Sequence, residues 1–107
     1  MRQIRPVELK AWLDDPQRPA PLLLDVREPW EFERCHIANA SLVPMRSLSA
    51  RLAELDPERE TVVICHHGVR SYHVTRFLEQ NGFSNVINLT GGVDAWAKEV
   101  DPAMPLY

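Results

Sequence analysis

Cys65 is followed by His66, His67, Gly68, Val69, Arg70 and Ser71, and preceded by Thr61 to Ile64, a β-branched apolar run that predicts a strand. Apolar positions then recur at Val74, Phe77 and Leu78, the spacing of one face of a helix. The thiol is therefore expected at a strand exit, just before a helix N-terminus. Backbone N–H groups of a tight loop and the unpaired N–H groups of a helix's first turn both favour an anion, the helix end acting as about half a positive charge. Such surroundings favour thiolate, which a free thiol of pKa ~8.5 supplies only in small part at neutral pH. Gly68 is expected to take a positive φ, or to admit a close backbone approach that a Cβ would crowd. Arg70 brings a planar cation suited to two oxygens of an oxyanion.

The elements that must position these residues are also legible. Short runs at Leu22 to Val26, Ser41 to Val43, Thr61 to Cys65 and Val86 to Leu89 predict strands, and segments with helical spacing separate them. That alternation predicts a parallel sheet covered by helices. The unbroken apolar run of Thr61 to Ile64 predicts a central strand buried on both faces, and its C-terminal end is where an open α/β sheet places its ligand site. Pro6 and Pro29 suit the first turns of two helices, the second ending at Arg34. Leu48, Leu52 and Leu55 predict a third, with Ser47 or Ser49 as N-cap. Gly82 is expected as the left-handed residue ending the fourth helix, with Phe83 folding back on Leu78. A last helix is expected from about Gly92 through Trp96.

At 107 residues, 45% hydrophobic and 25% charged, the chain fits one folded domain, residues 1–107, rather than two cores or a disordered segment. A net charge of -3 supplies no basic field for nucleic acid or anionic lipid. No apolar run approaches the ~20 residues that span a bilayer, and no apolar segment follows the basic start, so neither a membrane nor secretion is expected and the cytoplasm is the default. The two cysteines, Cys35 and Cys65, form no dense disulfide framework.

The sequence resembles the rhodanese-like family, specifically its single-domain sulfurtransferases, over nearly the whole chain. Cys65 to Ser71 (CHHGVRS) matches the family's active-site loop C-x-x-G-x-R-S. Leu24 to Pro44 (LDVREPWEFERCHIANASLVP) resembles its first signature, and Asn88 to Trp96 (NLTGGVDAW) its closing element. Two departures stand out: Cys35 replaces the family's usual Gly, and Ala38, Asn39 and Ala40 replace its P-G-A turn. The resemblance implies a rhodanese-like α/β fold, a five-stranded parallel sheet with helices on both faces. It also implies a cysteine that cycles between thiolate and persulfide, with no metal or organic cofactor. Cys65 is then the nucleophile and Arg70 the holder of the departing group, with His66, His67, Gly68, Val69 and Ser71 lining the donor's site. Thiolate attacks the outer sulfur of a donor such as thiosulfate, and a thiophilic acceptor, cyanide or a thiol, removes it in a second half-reaction. The alternative is a sulfur-relay or regulatory module that takes persulfide from a partner protein and turns over small donors poorly.

Competing chemistries are weaker. Cysteine phosphatases use C-x5-R and commonly carry His before the cysteine, whereas Cys65 to Arg70 is C-x4-R and Ile64 precedes it. Zinc ligation is disfavoured because Cys65, His66 and His67, like Cys35 and His36, are merely adjacent in sequence. Cys35 is expected to be a spare thiol rather than a partner for Cys65. Asp25 and Arg27 are expected to pair charges beneath the site. His36, by its family position, is expected to be buried and hydrogen-bonded. Trp12, Trp30 and Trp96 are expected to be packing aromatics.

Overall fold

The computed structural model describes residues 1–107. Five strands, β1 (Arg2–Ile4), β2 (Leu22–Asp25), β3 (Ser41–Leu42), β4 (Thr61–Ile64) and β5 (Val86–Leu89), form one sheet in the order β1-β5-β4-β2-β3, with every pairing parallel. The helices are α1 (Pro6–Asp14), α2 (Pro29–Arg34), α3 (Leu48–Arg51), α4 (Val69–Gln80) and α5 (Gly92–Glu99).

β4 is the axis of the molecule. Its neighbours are β2, through Leu24 opposite Val63, and β5, through Val62 opposite Ile87. All four of its residues are buried. Because successive strand side chains point to opposite faces, Val62 and Ile64 join one core with Leu9 and Trp12 of α1 and Val93 and Trp96 of α5. Val63 and Cys65 join a second core with Leu48 of α3 and Val74 and Leu78 of α4. A strand covered by helices on both faces has no polar side to display, hence its unbroken apolar run.

Helix ends follow the chain's punctuation. Pro6 and Pro29 open α1 and α2. α4 stops as its sequence demands: Gly82 has φ +87°, its N–H reaches Glu79 O at 3.2 Å, and Phe83 N–H reaches Leu78 O at 3.0 Å. These two bonds satisfy carbonyls the helix would otherwise leave unpaired, and Phe83 packs in the core beside Leu78. The departure at Ala38 to Ala40 is absorbed by Asn39, which takes φ +70° while Ala40 N–H closes the turn on Ile37 O at 3.1 Å; Asn tolerates that region better than most residues.

Three expectations need correction, and one strand was not foreseen. The edge strand β1 has only Ile4 as an apolar residue and gave no pattern to read. The helix expected through Leu48, Leu52 and Leu55 is a single four-residue turn between 3₁₀ turns at Met45–Ser47 and Leu52–Glu54, and Ser47 makes no side-chain cap. Only Leu48 there is fully buried, too small an anchor for a segment whose helicity depends on packing. His36 is exposed, its Nδ1 2.8 Å from Phe32 O and its ring stacked on Phe32. Trp30 is 62% exposed, whereas Trp12 and Trp96 are buried.

α5 begins hard against the exit of β4. A Cβ on Gly92 would lie 2.3 Å from Cys65 O and 2.5 Å from His66 O, and Gly92 has φ +58°. Gly82 also has positive φ but no heavy atom within 4 Å of such a Cβ. Gly82→Ala should therefore cost about 1–2 kcal/mol from backbone strain alone, and Gly92→Ala at least ~2 kcal/mol more from overlap with the backbone. Urea unfolding of the two variants checks this; equal losses would show that the close approach is not a constraint.

Candidate active site

Cys65 is the first residue beyond β4, and the loop it opens ends at Gly68, the N-cap of α4, with φ +95°. A Cβ there would sit 2.9 Å from Gly91 N and 3.3 Å from Leu89 O. The glycine is thus required by the neighbouring β5 exit rather than by the space around the sulfur. α5 holds the loop from below: Val93 N–H donates to Cys65 O and Asp94 N–H to His66 O, both at 3.0 Å. Two first-turn amides of that helix are therefore spent on the loop's own carbonyls.

The sulfur has two polar neighbours. Gly68 N–H donates to Sγ at 3.1 Å, and Ser71 Oγ lies 3.2 Å away. Ser71 in turn donates to Asn88 Oδ1, while Asn88 Nδ2 donates to Gly68 O at 3.3 Å and to Gln3 Oε1 at 3.2 Å. A hydroxyl has one proton. With that proton on Asn88, the Ser71 contact suits a protonated sulfur donating to Oγ; an anionic sulfur would draw the hydroxyl proton toward itself. The expected cradle of several amides is in this structure one amide and one hydroxyl, backed by the aliphatic core of Val26, Val63 and Val74. Cys65 is 1% exposed. An open cleft of about 400 Å³ adjoins the loop on the side of His67, Gly68, Val69 and Tyr72.

Arg70, on α4, is engaged by an acidic partner rather than standing free for a donor. Both terminal nitrogens donate to Glu31 of α2, at 2.7 and 2.8 Å. Glu31 is only 4% exposed; its carboxylate also accepts Glu28 N–H at 3.0 Å and the Tyr107 hydroxyl at 2.8 Å. The Arg70 hydrogen bonds, aided by those of Glu28 and Tyr107, pull the Glu31 pKa down to about 2, against the opposing effect of burial. Tyr107 Oη accepts from Arg27 at 2.8 Å, and Arg27, fully buried, grips Asp25 through Nε and Nη2 and donates to the carbonyls of Glu31 and Cys35. Asp25 and Arg27 thus pair charges beneath the site as expected. The Tyr107 ring stacks on His66 at 3.8 Å and 6°.

Of the other loop residues, Ser71 is buried beside the sulfur, while His67 and Val69 are exposed. His66 is half-buried between the rings of Tyr107 and His67; burial and the neighbouring His67 hold its pKa below the ordinary value. Cys35 packs in the core on the other face of the sheet from Cys65, and both thiols are free. Sequence reasoning missed Glu31, Tyr107 and Asn88 as site components. Glu31 carried one signal, its place three residues after Glu28 at a helix start, where a carboxylate reaches back to the N-cap amide; Tyr107 carried none. The adjacency argument against metal ligands did not foresee Asp94, which α5 brings to the pair: a ring nitrogen of His66, one of His67 and a carboxylate oxygen of Asp94 lie within 4.8 Å of one another. No helix is long and apolar enough to cross a membrane.

The family model described as Rhodanese-like domain matches residues 5–99. A probable adenylyltransferase/sulfurtransferase, MoeZ, of Mycobacterium tuberculosis is 40% identical over 97% of this chain, which spans only 26% of that longer protein. A sulfurtransferase of Allochromatium vinosum is 39% identical over 72% of each chain. Among solved structures, a rhodanese-like domain protein from Staphylococcus aureus superposes with a TM-score of 0.84 at 34% identity, covering 94% of this chain and 95% of the other.

The Glu31 carboxylate supplies a pH test. Its pKa in the fold, about 2, lies below the unfolded value near 4.5, so its stabilisation is complete above pH 4.5 and is lost as pH falls toward 2. Over that interval the native chain should lose about 2–3 kcal/mol more unfolding free energy than Glu31→Gln, which takes up no proton there. Denaturant titrations at the two ends of the interval measure this; parallel losses would mean that Glu31 is not the group being titrated.

Proposed function

Because the chain belongs to the rhodanese-like domain family, we propose that it is a sulfurtransferase in which Cys65 carries one sulfane sulfur as a persulfide. The observation that carries the proposal is the placement of Cys65 Sγ at the exit of the central strand, accepting from Gly68 N–H and touching the Ser71 hydroxyl. In the loading half-reaction with thiosulfate, Cys65 thiolate attacks the outer sulfur, a new S–S bond forms, the old S–S bond breaks, and sulfite leaves with the electron pair. Attack by an acceptor thiolate or cyanide on the outer sulfur returns Cys65 to thiolate. His67, Gly68 and Val69 line the open cleft beside the loop, by which a donor would approach, while Ser71 and the half-buried His66 lie deeper in the loop.

The relay reading is favoured by one specific observation. Thiosulfate and the departing sulfite are dianions, and Arg70, the cation expected to meet them, is held bidentately by Glu31. At its reacting end a persulfide donor carries less charge: Cys65 thiolate takes its outer sulfur and releases a thiolate, with no oxyanion in the leaving group to hold. A donor persulfide on a small thiol or a partner protein suits this site better than thiosulfate. Arg70 then acts mainly as a positioning residue that ties α4 to α2.

Intact-mass spectrometry decides among these. Treatment with glutathione persulfide should add one sulfur atom, about 32 Da, to the wild type and none to Cys65→Ala. Thiosulfate should load more slowly, and Glu31→Gln, which frees Arg70, should narrow the gap between the two donors. Failure of both donors to load sulfur, with hydrolysis of a phosphate ester instead, would overturn the proposal.

A further inference from the structure

One buried side-chain polar atom in the protein has no hydrogen-bond partner, and it is His66 Nε2. Buried polar atoms in folded proteins almost always have a partner, so an orphan points to a water or an ion. The same histidine belongs to the His66, His67 and Asp94 cluster, whose ligand atoms lie within 4.8 Å of one another. Two imidazoles and one carboxylate are the donor set of three-ligand zinc sites, in which a fourth position stays open. Ligand atoms at zinc distances in a tetrahedron stand about 3.4 Å apart, so the cluster must close by little more than an ångström.

The parts that must move are free to do so. His67 is exposed. Asp94 is held by Lys98 at 3.0 Å, a pair whose lysine is 60% exposed, and such surface pairs hold weakly. The cluster's frame is fixed, because Asp94 N–H donates to His66 O at 3.0 Å and ties the first turn of α5 to the loop. Cys65 is not part of the cluster: it points into the core on the α4 face, and its polar contacts are Gly68 and Ser71.

We propose that His66, His67 and Asp94 form a binding site for a divalent transition-metal ion of the zinc type at the rim of the Cys65 loop. The metal site shares His67 with the cleft beside the loop but takes no ligand from the sulfur, and metal binding is read directly, so its failure leaves the sulfurtransferase proposal untouched and the reverse.

Calorimetric titration of the tag-free, metal-free chain with zinc in a non-chelating buffer should give one ion per chain. Asp94→Asn and His67→Ala should each weaken binding at least ~10-fold, since loss of a ligand costs no less than loss of a group supporting one. Lys98→Ala should tighten it by releasing the carboxylate, a gain that mere structural damage would not produce. Cys65→Ser should bind as the wild type does. Cobalt in place of zinc should show d–d bands without a thiolate-to-metal charge-transfer band. Absence of binding, or binding that survives Asp94→Asn and His67→Ala but disappears in Cys65→Ser, would overturn the proposal.

Discussion

A carboxylate withdrawn from water stays ionised only where donors surround it, and the Glu31 carboxylate imposes that condition on the whole active end of the sheet. It collects Arg70 from α4, the Glu28 amide from α2 and the hydroxyl of Tyr107. Tyr107 passes the connection to Arg27, and Arg27 to Asp25 at the end of β2. Groups that share a buried network polarise and position one another. The start of α4, which carries the loop's glycine, is therefore fixed to α2, to β2 and to the last residue of the chain.

In the proposed reaction, this network also sets the charge that an incoming sulfur donor would meet. Arg27 and Arg70 are cations in the immediate frame of the site, and each is matched by a carboxylate, Asp25 and Glu31. The sulfur itself is steadied by a short polar chain, Gly68 N–H and Ser71 to Asn88, set against an aliphatic core. A site with balanced charge and few donors favours chemistry in which one sulfur anion replaces another, rather than chemistry that must gather a dianion from water.

The sequence was most legible where structure follows from near neighbours. Thr61 to Ile64 reads as a doubly buried strand because each of its residues is apolar or β-branched. Gly82 and Phe83 read as a helix stop because the cap involves only residues from Leu78 onward. It was least legible where one element lacked its own signal or where partners lie far apart. β1 exists because β5 offers an unpaired edge, not because Arg2 and Gln3 favour strands. The α3 segment shows helical spacing but buries too little of it. Trp30 and His36 have the composition of core residues and lie outside it.

Residue order alone determined that a thiol would leave a central strand and enter a helix start through a glycine, because strand, turn and cap preferences act over a few residues. Tertiary structure alone decided what surrounds that thiol. Arg70 meets Glu31 across 39 positions, Tyr107 meets Glu31 across 76 and Arg27 across 80, and Asp94 reaches His66 and His67 only through the packing of α5. Charge pairing of that kind depends on distance in space and on exclusion of water, and neither is written in the spacing of residues along a chain.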